Sequence, residues 1–326
     1  MPVMKEFEHK RILSTTDKPT VAVYRIRFSK RIVFGSLVLA LIAAIALLAP
    51  RLAPITYEYS PLSVHLDHIN LPPYSPEHIF GTDYLGRDVF AEAIWGSRAS
   101  LIVGIFAALI AVSFGSIWGS LSAFAGGIID TLMMRIVDGL LSIPSIILLL
   151  ALNALLSAPS IVAGMPQPLQ SLLHITSYSF GNLPIVTVVA VISATTWLEA
   201  ARISRAKITS VKAEEYIEAA QALGMSTPRM LFQHLLPNAA SVLMVEATLL
   251  VSDAVLMESG LSFLGLGLGP SNPSWGSMLT AAQISLTQGN WWAVFIPGLL
   301  ITLTVGSVNL IGEGWLEMLG RRHPAA

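Results

Sequence analysis

From Ala99 to Ile129 the chain carries no charged side chain. A lipid bilayer demands such runs, because an apolar helix of about 20 residues spans its hydrocarbon core. Only helices and closed barrels satisfy every backbone polar group there. Further runs flank charged boundaries. Ile32–Pro50 lies between Arg31 and Arg51, and Gly139–Leu156 follows Asp138. Ile185–Leu198 reaches full length only by starting in the preceding loop and running through Glu199. Ala239–Leu264 and Trp291–Ile311 complete a set of six. Charged residues make up only 12% of the chain, against about 25% in soluble domains. The expected fold class is all-α, a polytopic membrane protein with about six transmembrane helices.

The charges divide the chain into sides. Residues 1–31 form a tail with eight Lys or Arg and three acids, Glu6, Glu8 and Asp17. The positive-inside rule puts that tail in the cytosol. Its apolar run starts too late, and is too long, for a cleaved signal peptide. Residues 51–98 form a Pro-rich loop with six acids and three Arg, placed on the opposite side. Four spans separate the tail from the basic stretch 202–238, so both face one side, and residues 313–326 end there with Arg321 and Arg322. Residues 99–312 form the core with the other five spans. Ser157–Pro184 is uncharged and reads as a second outer loop containing His174.

Within the outer loop, Gly81–Asp88 (GTDYLGRD) reads as a tight turn in which aspartates flank Arg87. His65, His68 and His78 are too loosely spaced to predict a metal site. Gly115 and Gly119 form the G-x-x-x-G spacing that lets membrane helices approach closely. Pro144 predicts a kink. There are no cysteines, so disulfides and thiol chemistry are excluded. No phosphate-cradling loop, H-E-x-x-H or G-x-S-x-G is present. Leu264–Gly269 (LGLGLG) reads as chain leaving the membrane. An intramembrane hydrolase would rest on His174 or His234, and neither has an evident partner.

Glu246, Asp253 and Glu258 fall in the fifth span. Ionisable groups in lipid are costly and mark candidate function. Glu246 and Asp253 are spaced to share a helix face and are candidate translocation-path residues. They define an alternative reading, a proton-coupled carrier or channel. Glu258 reads equally well as a boundary residue.

The strongest local design is Ala213–Asn238, a polar island between apolar segments. Ala213–Leu223 predicts a helix and Gly224 its left-handed stop. Thr227 predicts an N-cap and Pro228 a first helical position. Pro237 predicts the end of that second short helix. Two short helices joined by a turn make an exposed knob suited to another protein's grip.

Those residues resemble a known pattern. Glu218-Ala219-Ala220, then Gly224, then Leu236-Pro237 resemble the EAA loop of bacterial ABC-importer permeases; His234 stands where the pattern has Ile. Gly81–Asp88, Gly126–Asp130 with Met134, Arg135 and Asp138, Leu261–Gly265 with Trp275-Gly276, and Asn309–Gly312 resemble the oligopeptide/dipeptide branch, C-type subunit. The resemblance implies the ABC-importer permease (MetI-like) fold and a non-enzymatic transport subunit for peptides or a related small solute. The coupling residues would be Glu218, Ala219, Ala220, Gly224, His234, Leu236 and Pro237. Ile217, Leu223, Met225 and Met230 would add apolar contact to the ATPase. This chain would bind no cofactor or metal, since ATP and Mg sit on the ATPase. Implied partners are a homologous second permease, two ATP-binding cassette ATPases, an extracytoplasmic solute-binding protein and the lipid bilayer, with no nucleic acid. The implied location is the bacterial inner membrane, with both termini cytoplasmic.

Overall fold

The computed structural model describes residues 29–52, 63–156, 158, 160–161, 164–172, 183–269 and 272–320. Most of the expected N-terminal tail, His174 with half of the second outer loop, and Arg321 and Arg322 lie outside these residues. The described chain runs α1 (Lys30–Leu52), α2 (Val89–Ala125), α3 (Gly127–Leu141), α4 (Ser145–Leu156), α5 (Gln167–Leu172) and α6 (Leu183–Lys212). Then come α7 (Glu215–Ala222), α8 (Thr227–Met230), a single π turn (Leu231–Leu235), α9 (Leu236–Phe263), α10 (Trp275–Thr287) and α11 (Trp292–Gly320). Five helices are long and apolar enough to cross a membrane, or six if α3 and α4 count as one bent span.

The spans differ from their expected limits for physical reasons. The second begins ten residues before Ala99, because Asp88 caps α2 by accepting from Ala91 N at 2.7 Å. It ends before Ile129, because Gly126 takes φ 66° and turns the chain into α3. Around Pro144 the expected kink is a full break, with α3 and α4 at 88° to each other. The fourth span continues past Glu199 through Arg202, Arg205 and Lys207 to Lys212. Hydropathy locates lipid, and this helix runs on beyond its apolar part.

The centre of the bundle is α2 against α6, its most extensive helix pairing. Gly115 and Gly119 make that contact. A Cβ on Gly115 would stand 2.5 Å from Trp197 O, and one on Gly119 would collide with Ala201 O. The seam also has hydroxyls. Ser204 Oγ donates to Ser116 O at 3.0 Å, and Ser120 Oγ lies 3.2 Å from Ser204 Oγ. Helix α9 packs on α2, α6 and α11, and α1 packs on α11.

Candidate functional site: the helix between two spans

Helix α7 sits between α6 and α9 and ends in a Schellman motif. Met225 N donates to Ala220 O at 3.1 Å and Gly224 N to Gln221 O at 2.9 Å. Gly224 supplies the left-handed residue, φ 78°. Met225 completes the motif by packing on the apolar cluster beneath.

That cluster corrects the expected contact surface. Ile217 and Met230 are fully buried, with Leu231, Leu235, Ile208 and Val211. They fasten α7 to its own bundle and offer no area to a partner. What faces outward is Glu215, Tyr216, Glu218, Ala219, Ala222 and Leu223, the last 89% exposed. The outward face is acidic around Leu223, its one large aliphatic side chain. Asn238 Nδ2 donates to Tyr216 Oη at 2.7 Å and to His234 O at 2.9 Å, bracing α7 against α9. Half-buried His234 lies beside Tyr216, their ring centroids 6.3 Å apart.

Two further expectations change here. Thr227 is the first residue of α8, not a residue before it. Pro237 does not end a helix; it lies in the first turn of α9. The preceding turn makes room, because Leu236 N donates to Leu231 O, five residues back. A π turn relaxes the ladder where the proline ring would otherwise press on a carbonyl. The second short helix is therefore the leading end of the fifth span.

Charged pairs anchor the polar end of α6. Arg205 binds Asp130 twice, Nε to Oδ1 at 2.6 Å and Nη2 to Oδ2 at 2.5 Å, and Ser122 Oγ donates to Asp130 Oδ1. Arg202 binds Asp138, and Lys212 Nζ donates to Phe124 O at 3.0 Å. The α3 acids thus hold the helix that carries α7.

The intramembrane carboxylates separate. Glu246 is buried, whereas Asp253 is exposed, so their seven-residue spacing does not give them one environment. Glu199 of α6, by sequence only a span end, lies within electrostatic reach of both. Glu258 belongs to the packed interior of the bundle. It is fully enclosed, and accepts from Ser100 Oγ of α2 at 3.1 Å and from Ser262 Oγ at 2.8 Å; the Ser274 hydroxyl also bonds to it.

In the outer-loop motif the aspartates make the turn and the cap, and the ion pair goes elsewhere. Asp83 Oδ1 accepts from Leu85 N and Arg87 N, both at 2.8 Å. Arg87 Nη1 donates to Glu92 Oε1 at 3.2 Å. His78 Nδ1 lies 2.7 Å from Asp88 Oδ2, and its Nε2 lies 3.1 Å from His68 Nδ1, so these imidazoles staple the loop to the cap of α2. No group of three or more metal-ligating side chains occurs among the described residues.

A bundle of apolar helices with a short polar helix between two spans is the architecture of a multi-pass membrane protein. Residues 115–323 match the family described as binding-protein-dependent transport system inner membrane component. The chain belongs to that family: it is a permease subunit of an ABC importer, a multi-pass membrane protein and not an enzyme. It is 35% identical to the oligopeptide transport system permease protein OppC of Bacillus subtilis, over 91% of this chain and 88% of that one. It is 34% identical to the dipeptide transport system permease protein DppC of the same organism, over 90% and 83%. With the di/tripeptide transport system permease protein DppC of Pseudomonas aeruginosa it shares 33%, over 87% and 86%. An ABC importer is driven by ATP, which displaces the proton-coupled carrier reading of Glu246 and Asp253.

Proposed function

We propose that this permease forms half of a pathway for dipeptides, oligopeptides or a related small solute, and that α7 is its contact with the ATPase. Its partners would be a homologous second permease, two ATP-binding cassette ATPases and an extracytoplasmic solute-binding protein. ATP and Mg would bind the ATPases and not this chain. Both termini and residues 202–238 face the cytosol in this reading, and residues 51–98 face outward, in the bacterial inner membrane. The domain limits 1–31, 32–50, 51–98, 99–312 and 313–326 follow from that arrangement.

One observation carries the coupling role. Helix α7 is fixed to its own bundle by Ile217 and Met230, yet presents Glu215, Glu218 and Leu223 outward. A push on that face is passed to α6 and α9 as a rigid body, the form of motion that switches domains. Glu218 and Ala219 lie on the face with half-buried Ala220 beside them, and Gly224 ends it. His234, Leu236 and Pro237 join it to α9. Glu246 and Asp253 belong to the pathway side of the bundle in this reading.

The test is co-purification from mild detergent. Leu223→Asp alters only an exposed side chain, so the permease should accumulate normally and lose its ATPase. Undiminished ATPase association and transport in Leu223→Asp would sink the assignment.

A further inference from the structure

Two sequence motifs lie outside the proposed coupling site, Gly81–Asp88 and Leu261–Gly265 with Trp275-Gly276. They meet at the end of the bundle away from α7. Between them lies a cavity of about 290 Å³, whose walls include Tyr84, Arg87, Glu92, Gly265, Gly269 and Thr280. The volume is at the lower end of small-ligand pockets. Gly265 and Gly269 have positive φ, and a Cβ on either would meet nothing within 4 Å. The backbone is open on that side.

The aliphatic hydroxyls of the walls are one-sided, whereas Arg87 Nε is a buried donor without an acceptor. Besides the Tyr84 phenol, three hydroxyls line the cavity, and each of these three has already given its proton to the protein. Ser262 Oγ donates to Glu258 Oε1 at 2.8 Å, Ser277 Oγ to Ser274 O at 2.9 Å, and Thr280 Oγ1 to Ser262 O at 2.8 Å. A hydroxyl that has spent its proton can only accept. A guest meeting these oxygens must bring donors.

The charges agree. Glu92 lines the cavity and is 4% exposed; among the described residues its side chain makes one hydrogen bond, to Arg87. Asp83, 2% exposed, acts on the same guanidinium, and its Oδ2 is buried without a donor. Two enclosed carboxylates thus share one cation. Asp88 is held by His78, and Glu258, just behind Ser262, adds a further acid with no basic partner among the described residues. Burial raises the Asp83 carboxyl above the usual carboxylate range although Arg87 pulls the other way. Buried acids with one cation between them must hold a proton or take a second cation.

We propose that this cavity binds a primary ammonium group, the N-terminal amine of the transported peptide. Three N–H donors would meet Glu92 and the spent hydroxyls, and the positive charge would balance the shared carboxylate. The peptide as guest rests on the function proposed above; the ammonium chemistry rests on the cavity alone.

The experiment uses the permease–ATPase complex in lipid nanodiscs without the solute-binding protein, titrated by calorimetry with trialanine, N-acetyl-trialanine and methylammonium. Trialanine and methylammonium should bind, and acetylation should weaken binding at least about tenfold, as loss of a charge-assisted contact does. Glu92→Gln should cause a similar loss. Ala281→Leu fills the cavity and keeps every charge, so it should abolish binding even if Glu92→Gln fails to assemble. Equal binding of the acetylated peptide, no binding of either amine, or full binding to Ala281→Leu would each overturn the proposal. If methylammonium binds but proteoliposomes do not import trialanine, the site stands and the peptide assignment falls.

Discussion

The two ends of this bundle use charge in opposite ways. At the α7 end, Glu215 and Glu218 are exposed and Arg202 pairs with Asp138 in the open. At the other end, Asp83, Asp88, Glu92 and Glu258 are all buried. Exposed pairs contribute little to stability, because water screens them and long side chains lose freedom to hold them. Buried acids must be satisfied or they destabilise the fold. The first end is therefore free to serve recognition, and the second fixes geometry.

Breaking that contrast should be hardest at Glu258. Glu258→Ala leaves the hydroxyls of Ser100, Ser262 and Ser274 facing an empty space and unties α2, α9 and α10. A loss of about 3 kcal/mol is expected, the scale of a broken buried polar network. Thermal unfolding in detergent measures it, and Glu258→Gln should recover much of the loss. A smaller effect, about 2 kcal/mol, is expected from Gly119→Val, because the added carbons collide with Ala201 O and force α2 from α6. A wild-type melting temperature for that variant would show that the seam yields.

The smallest effect sharpens the comparison through pH. The folded-state pKa of Asp83 is raised, by burial first. A raised acid binds its proton more tightly in the folded state, so its contribution favours folding at low pH and is lost as pH rises through its folded pKa. Asp83→Asn removes that dependence while keeping an oxygen for Leu85 N and Arg87 N. The variant should match or exceed the wild type at neutral pH, and the wild type should gain on it as pH falls. Parallel pH profiles would show that the Asp83 charge is already compensated.

The sequence made the membrane-spanning segments and the Glu218–Gly224 pattern legible, because absent charges and a left-handed glycine are local signals. It misjudged where helices end. The continuation of α6 to Lys212 depends on Asp130 and Asp138, far away in the chain, which hold Arg205 and Arg202. It also gave Ile217 and Met230 the wrong neighbours. An apolar stripe on a short helix shows that something covers it, not whether the cover is another protein or the chain's own bundle. The outer cavity was invisible for a similar reason, since Arg87 and Thr280 come to line one space only in three dimensions.

The π turn at Leu231–Leu235 has a consequence for the heading of the whole knob. One extra residue in a helical ladder rotates all that precedes it by about 100° against all that follows. That single residue therefore works as an angular setting between the membrane-embedded α9 and Met230. Deleting it would leave the apolar face of α9 in place, but would aim Met230 and the α7 it secures at a different quarter of the compass.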